Sequence, residues 1–151
     1  MAFAAVPVTF KIYEYARQMK PAQFMCAMSA LNTARRHLGA YFTRHDLWLS
    51  PTTPSVAESW GRYHLGHQNV SVDELPQKVL GLVVQYTLPH NIMGTPAISL
   101  PLAMHSAGLP IGVQLASGPA NEHLLLQLAA ALETAMPWSG RVPRLPASLP
   151  A

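Results

Sequence analysis

The sequence predicts a single α/β domain in which helices cover a sheet. Three observations support this class: helical spacing of apolar residues over 21–45, two alternating apolar runs between residues 96 and 116, and a leucine stripe over 121–136. The 151 residues suffice for one domain with its own core. Only 11% of them are charged, whereas soluble domains average about 25%. We therefore expect other protein to cover part of the surface, although a neutral polar surface of Ser, Thr, Gln and His would explain the same composition.

The first predicted helix runs from Pro21 to about His45, and the missing N–H of Pro21 is harmless in a first helical turn. Its apolar stripe consists of Phe24, Met28, Leu31, Leu38 and Phe42. Cys26 lies in this helix without an activating neighbour, so we expect a buried, unreactive thiol. The apolar triplet 47–49 predicts a short buried strand that ends at Pro51.

The two alternating runs predict a pair of strands joined at Gly108. One face carries the large side chains Ile98, Leu100, Leu102, Ile111, Val113 and Leu115; the other carries Ala97, Ser99, Ala103, Gly112, Gln114 and Ala116. We expect a helix to approach the small-residue face closely. Pro101 predicts a free edge or a bulge in the first strand. The last helix is predicted from about Asn121, its N-cap, to Met136, before Pro137.

The remaining segments add no further strand of the predicted sheet. Residues 55–78 lack periodicity and predict a surface excursion. Residues 75–88 fit either a short helix or a buried strand, and we favour a short helix leading into a loop. The proline-rich residues 139–151 predict an irregular tail. Three strands are few for a sheet with two covered faces. We therefore expect these strands to belong to a larger sheet.

Charge and cysteine content exclude several classes of function. The net charge is only +3, and no basic stripe alternates with aromatic residues, so we expect no nucleic-acid partner. No apolar run reaches the roughly 18 residues of a membrane span, and we expect none. A single cysteine cannot form an internal disulfide and indicates a reducing, cytoplasmic compartment.

Two sets of reactive side chains can be nominated, and neither has a supporting motif. His64 and His67 have a spacing usable for a metal, but no third ligand stands beside them. Ser99, His105 and Asp46 could be named as a triad, yet Ser99 lacks a Gly-x-Ser-x-Gly turn. Solvated histidines and an ordinary packing serine are the preferred interpretations.

Residues 91–138 carry a specific order of residues: an Asn, a Gly and Pro-Ala, a strand ending in Pro, a Gly-Leu-Pro-x-Gly-x-Gln strand, and a leucine-rich helix closing on Pro-Trp. The matching positions are Asn91, Gly94, Pro96, Ala97, Ser99, Pro101, Gly108, Leu109, Pro110, Gly112, Gln114, Leu125, Leu126, Ala129, Glu133, Pro137 and Trp138. This order resembles the closing segment of the amidase signature family. Pro21-Ala22 and the stretch 46–52 resemble its preceding element, whereas 55–85 matches poorly.

The resemblance implies the C-terminal part of the amidase-signature α/β sandwich, with a mixed central sheet covered by helices, incomplete in this chain. Residues 1–151 are then a C-terminal fragment of one amidase domain. The family hydrolyses carboxamide C–N bonds through an acyl-serine intermediate, with two Ser and a Lys in its earlier part. This sequence contains no Ser-Ser and no Gly-Gly pair. We therefore expect no catalytic residue, metal or cofactor here, and activity on an amide substrate only together with an N-terminal amidase portion.

The loop after the first strand is the predicted substrate contact. Thr52, Thr53 and Pro54, with Asn91, are expected to border the acyl site, although hydrogen bonds that merely tie loops would explain the same residues. Two other functions stay open. One is an interaction module that pairs with a protein partner or with itself, and the other is a metallohydrolase built on His64 and His67.

Overall fold

The computed structural model describes residues 7–59, 74 and 84–142. The elements in these ranges are α1 (Pro7–Gln18), α2 (Pro21–Phe42), β1 (Trp48–Pro51), α3 (Leu88–Met93), β2 (Ala97–Met104), β3 (Pro110–Ala116) and α4 (Glu122–Ala135). Most of the excursion predicted at 55–78, and most of the helix predicted at 75–88, lie outside the described residues. Residues 139–142 belong to no helix or strand. The rest of the predicted tail, residues 143–151, lies outside the described residues.

The three described strands form an antiparallel sheet in the order β1-β3-β2. The turn between β2 and β3 contains Gly108 with a φ of 76°, a conformation that glycine adopts without strain. β2 carries a register shift between Leu100 and Ala103. This confirms the bulge that Pro101 predicts, because proline cannot donate to a regular ladder.

The aliphatic face of the sheet packs against α4. Leu100, Leu115 and Leu125 form its buried centre. The half-buried residues around them are Leu47, Ile98, Leu102, Leu128, Ala129, Leu132 and Trp138. The leucine stripe of α4 removes more apolar surface from water, and so stabilises the fold more, when it covers large aliphatic side chains than when it covers small or polar ones. The last helix therefore covers the aliphatic face of the sheet and not the small-residue face.

The opposite face of the sheet lies against α2 and α3 at the Trp48 end of β1. The ring of Trp48 lies 5.9 Å from that of Tyr41 on α2 and 5.8 Å from that of His90 on α3. Arg35 on α2 donates two hydrogen bonds to the carbonyl of Ile92, at 2.6 and 3.0 Å. Helices thus cover both faces of the sheet, as the predicted sandwich requires.

The exposure of α2 differs from the sequence prediction. Leu38 is the buried residue of its stripe, whereas Phe24 is 56% exposed. Cys26 is exposed as well, so the prediction of a buried thiol is wrong. The described contacts of α2 with the sheet and α3 come from its C-terminal half, through Arg35 and Tyr41, and the stripe extends beyond them.

Two helices were absent from the sequence prediction. α1 presents exposed aromatic and aliphatic side chains, including Phe10 at 58% exposure and Tyr13 at 56%. α3 has only six residues, with proline in its first turn and a left-handed Gly94 as its C-cap. None of the helices in residues 7–59 and 84–142 combines the length and hydropathy that crossing a membrane requires.

We expect Leu125→Ala to lower the free energy of unfolding by about 2–5 kcal/mol, because the truncation leaves a cavity between α4 and the sheet. The measurement is urea denaturation followed by circular dichroism. Leu126→Ala is the matched control, since its side chain is 64% exposed one residue further along the same helix. Equal losses in the two variants would contradict the packing described for α4.

Candidate functional site

Two hydroxyl groups meet on the small-residue face of the sheet. Thr52 directly follows β1, and its N–H donates to the carbonyl of Gly112 at 2.9 Å. Its Oγ1 lies 2.5 Å from Oγ of Ser99 on β2. A Cβ at Gly112 would lie 2.7 Å from the first hydroxyl oxygen and 3.0 Å from the second. The absence of a side chain at residue 112 therefore allows β1 and β2 to exchange this hydrogen bond across β3.

A buried amide extends this hydroxyl pair towards α3. We call the four residues Thr52, Ser99, Ser50 and Gln114 the polar strip. Nε2 of Gln114 donates to Oγ of Ser50 at 3.3 Å and to the carbonyl of Tyr86 at 2.8 Å. Gln114 and Ser50 are 3% and 8% exposed. Buried polar groups are costly unless they are paired, so these bonds fix the segment before α3 against the middle of the sheet.

His90 is the ionisable side chain that this packing perturbs. It is buried, and its Nδ1 lies 2.8 Å from Oγ1 of Thr95. Its ring meets the ring of Trp48 edge-on. Burial lowers the pKa of His90 below its ordinary value of 6.5, because the protonated ring loses solvation. The neutral imidazole is therefore the form that the fold accommodates.

The predicted site residues lie on two separate segments. Thr52 is half-buried at the end of β1, and Thr53 donates to the carbonyl of Ser55 at 2.8 Å. Pro54 is exposed in the same loop, and Asn91 is exposed on α3. The described hydrogen bonds of the two threonines go to Gly112, Ser99 and Ser55. Their hydroxyl groups thus do tie this loop locally, which leaves a role in substrate contact as a prediction.

The described geometry does not support a catalytic triad of Ser99, His105 and Asp46. The hydroxyl of Ser99 pairs with Thr52, and Nδ1 of His105 accepts from the N–H of Ala107 at 3.1 Å in the turn after β2. His64 and His67 lie outside the described residues. Within residues 7–59, 74 and 84–142, no cluster of three or more His, Cys, Asp or Glu side chains is placed to hold a metal ion.

The polar strip itself was missed by sequence reasoning as a connected feature. Ser50, Gln114 and Ser99 are aligned across the three strands, because Gln114 is opposite the other two in the register. Strand alternation alone places Gln114 and Ser99 on one face. The bond to Tyr86 and the His90–Thr95 pair depend on how the segment around α3 docks, for which the sequence carries no periodic signal.

The fold and its strip of neutral polar groups define an α/β sandwich with apolar packing on one sheet face and hydrogen-bonding groups on the other. The sequence profile of the Amidase family matches residues 5–126, and the chain belongs to this family.

Individual relatives support this assignment. The chain is 52% identical over 107 residues to the 6-aminohexanoate-cyclic-dimer hydrolase of Paenarthrobacter ureafaciens, a match covering 66% of this chain and 21% of that protein. It is 35% identical over 113 residues to the putative amidase AmiC of Mycobacterium tuberculosis, covering 75% of this chain and 23% of the relative. The chain thus spans less than a quarter of the length of these two relatives.

Solved structures confirm the fold class. A 6-aminohexanoate cyclic dimer hydrolase complexed with substrate superposes with a TM-score of 0.75 at 30% identity, over 85% of this chain and 27% of that one. The crystal structure of another amidase shares the fold with a TM-score of 0.68 at 21% identity. The described sandwich is therefore part of the larger amidase fold.

We expect Gly112→Ala to destabilise the protein by about 1–3 kcal/mol, because the new methyl group overlaps the Thr52 and Ser99 hydroxyls. The loss should shrink when Thr52→Ala is added, since this removes the closest atom. Gly39→Ala is the control: nothing lies within 4 Å of the Cβ position there, so a gain of roughly 0.5–1 kcal/mol is expected in the helix interior. Thermal unfolding of the four proteins measures these differences, and an unchanged loss in the double variant would contradict the crowding.

We expect the stability contribution of neutral His90 to be complete above pH 6.5 and to decline as the pH falls below that value. The unfolded chain then binds a proton that the buried ring resists, because the folded pKa is the lower one. The measurement is the free energy of unfolding against pH for the wild type and His90→Gln, which should lose this part of the pH dependence. His123→Gln, at an exposed position of α4, should retain the wild-type profile.

Proposed function

We propose that this chain is the C-terminal portion of an amide hydrolase and forms one wall of its substrate pocket. The carrying observation is the 52% identity over 107 residues to a 6-aminohexanoate-cyclic-dimer hydrolase. The TM-score of 0.75 with such a hydrolase in complex with substrate supports the same assignment. The reaction is hydrolysis of a carboxamide C–N bond through an acyl-serine intermediate. An N-terminal amidase portion supplies the serine nucleophile, the second serine and the lysine.

The polar strip supports a neutral amide as the substrate class. Thr52, which is half-buried, and Ser99, which is exposed, offer hydroxyl groups at the accessible part of the strip, and the strip carries no charge. Hydroxyl groups can both donate to a substrate carbonyl and accept from an amide N–H. We assign Thr52, Thr53, Pro54 and Asn91 to the border of the acyl site, where such contacts orient the scissile bond relative to the nucleophile.

The compartment and the cofactor requirement follow the same proposal. A single cysteine, exposed on α2, suits a reducing cytoplasm. Acyl transfer through a serine needs neither a metal nor an organic cofactor, since the activating groups are side chains.

A second candidate function is that of a stand-alone module that binds another protein. The observation that favours it is the apolar exposure of the N-terminal helices: Phe24 and Met25 on α2 are 56% and 64% exposed, and Phe10 on α1 is 58% exposed. An apolar surface of this kind marks a site of protein contact.

The test is co-expression with the N-terminal three-quarters of the Paenarthrobacter hydrolase, the portion that the proposal requires this chain to complete. We expect that neither part alone hydrolyses the 6-aminohexanoate cyclic dimer and that the purified pair does, measured by release of amino groups. Formation of a stable, inactive pair would favour the binding module. Hydrolysis by the chain alone would contradict the requirement for a second portion.

Within the active pair, we expect Thr52→Val and Asn91→Ala to change kcat/KM by roughly tenfold and to alter the ranking of amide substrates, because each removes a polar contact at the acyl site. Thr134→Val is the matched control, since its hydroxyl bonds only the Ala130 carbonyl within α4 in the described structure. Unchanged substrate ranking in the Thr52 and Asn91 variants would assign both residues to loop anchoring instead.

A further inference from the structure

The turn that ends α3 closes on one residue, His90. Its carbonyl accepts from the N–H of Gly94 at 2.8 Å and from the N–H of Thr95 at 3.2 Å. Its ring nitrogen Nδ1 exchanges a further hydrogen bond with Oγ1 of Thr95 at 2.8 Å. Gly94 takes the left-handed conformation that is common at helix ends of this kind. The backbone and the side chain of His90 thus both fix the link between α3 and β2.

The ring of His90 is held from a second direction by the sheet. It is 6% exposed, and its plane lies at 76° to that of Trp48 on β1, an edge-to-face contact with the ring centres 5.8 Å apart. An imidazole in a close-packed site has few alternative rotamers. The bond from Nδ1 therefore joins Thr95 to a side chain that is itself fixed by packing.

The short helix α3 depends on contacts of this kind for its position. It has six residues, far below the roughly 12–15 residues at which an isolated helix becomes marginally stable. Arg35 donates to the carbonyl of Ile92 near its C-terminal end. Gln114 donates to the carbonyl of Tyr86, which precedes the helix. Both of these contacts hold backbone carbonyls, whereas His90 contributes a side-chain contact from within the helix.

The position of Asn91 follows from that of His90, the residue before it. Successive side chains of a helix project about 100° apart, and Asn91 is exposed on α3 whereas His90 is buried. An exposed side chain on a short helix takes its position from the helix backbone. Displacing a group that orients a substrate by only about 1 Å can cost roughly 100-fold in rate. Any substrate contact of Asn91 therefore depends on how firmly α3 is held.

We infer that His90 is a positioning residue that holds Asn91 in place at the acyl site through its hydrogen bond to Thr95. This inference rests on the proposed function, which assigns Asn91 to the border of that site. The role of His90 is indirect, because its buried ring faces Thr95 and Trp48. Loss of the bond leaves α3 with weaker attachment, so that the amide of Asn91 samples several positions and orients the scissile bond less often.

The structural test compares Thr95→Val, which removes the hydroxyl at nearly constant shape, with Thr95→Ser, which retains it. In the isotope-labelled chain, we expect the NMR order parameter of the Asn91 backbone amide to fall from about 0.85 to below about 0.6 in Thr95→Val only. Thr87→Val is the matched control, since its hydroxyl bonds the Val84 carbonyl before α3 at 3.4 Å. If circular dichroism shows that Thr95→Val unfolds, His90→Phe decides, because it keeps an aromatic ring and removes Nδ1.

The kinetic test is a double-mutant cycle in the pair formed with the N-terminal three-quarters of the Paenarthrobacter hydrolase, assayed on the 6-aminohexanoate cyclic dimer. Thr95→Val should lower kcat by about three- to tenfold and leave KM within roughly twofold, because orientation is lost rather than binding. In the Asn91→Ala background, the same substitution should change kcat by less than about twofold, since the group that it positions is absent. A general loss of structure would lower kcat in both backgrounds.

The outcomes separate this inference from the proposed function. Wild-type order of Asn91 or wild-type kcat in folded Thr95→Val overturns the inference, and so does a loss of kcat that persists in full in the Asn91→Ala background. An active pair in which Asn91→Ala has wild-type kinetics overturns it as well, while amide hydrolysis stands. A wild-type pair without hydrolysis contradicts the proposed function, whereas a loss of order in Thr95→Val that is absent from Thr95→Ser still supports the anchoring of Asn91.

Discussion

Both faces of this structure depend on the alternation of side chains along the central strand, β3. Leu115 turns its side chain into the aliphatic layer under α4, and its neighbour Gln114 turns to the polar strip. Because β3 pairs with β1 on one side and β2 on the other, its register imposes the same division on both partners. A shift of one residue would exchange the two faces, burying an amide among leucines and exposing the core.

The division of faces also explains why the region proposed to contact substrate is polar yet ordered. Thr52 is held by a backbone bond to Gly112 and by the hydroxyl of Ser99. Gln114 connects the sheet to the segment before α3 through the carbonyl of Tyr86. Polar groups fixed on strands in this way meet the requirement of the proposed pocket wall, which is to orient an amide bond before attack. The aliphatic layer on the reverse side supplies the rigidity.

Much of the fold could be predicted from the sequence, because its signals are local. Alternation identified β2 and β3, helical spacing identified α2 and α4, and Pro101 marked the bulge that the register shows. The order of glycine and proline residues after Asn91 was sufficient to indicate the family. These features follow from backbone geometry and hold irrespective of what surrounds the chain.

The failures concern features that depend on packing between distant segments. α3 is six residues long, too short for an apolar period to be visible. The exposure of Phe24 and Cys26 could not be predicted, because a helical stripe shows which side is apolar but not whether anything covers it. The contacts of His90 with Thr95 and Trp48 likewise arise only when α3 docks beside β1. The candidate site was therefore predicted as separate residues and not as a strip.

The double attachment to β3 has an evolutionary consequence. The connection between β1 and α3 is fastened at both ends to neighbouring parts of this strand, at Gly112 through Thr52 and at Gln114 through Tyr86. Lengthening a connection whose ends are already fixed costs little, only about 0.6 kcal/mol for each doubling of its length. Insertions and deletions between these two anchor points can accumulate while the sheet keeps its register, which gives this part of the chain freedom to diverge among relatives.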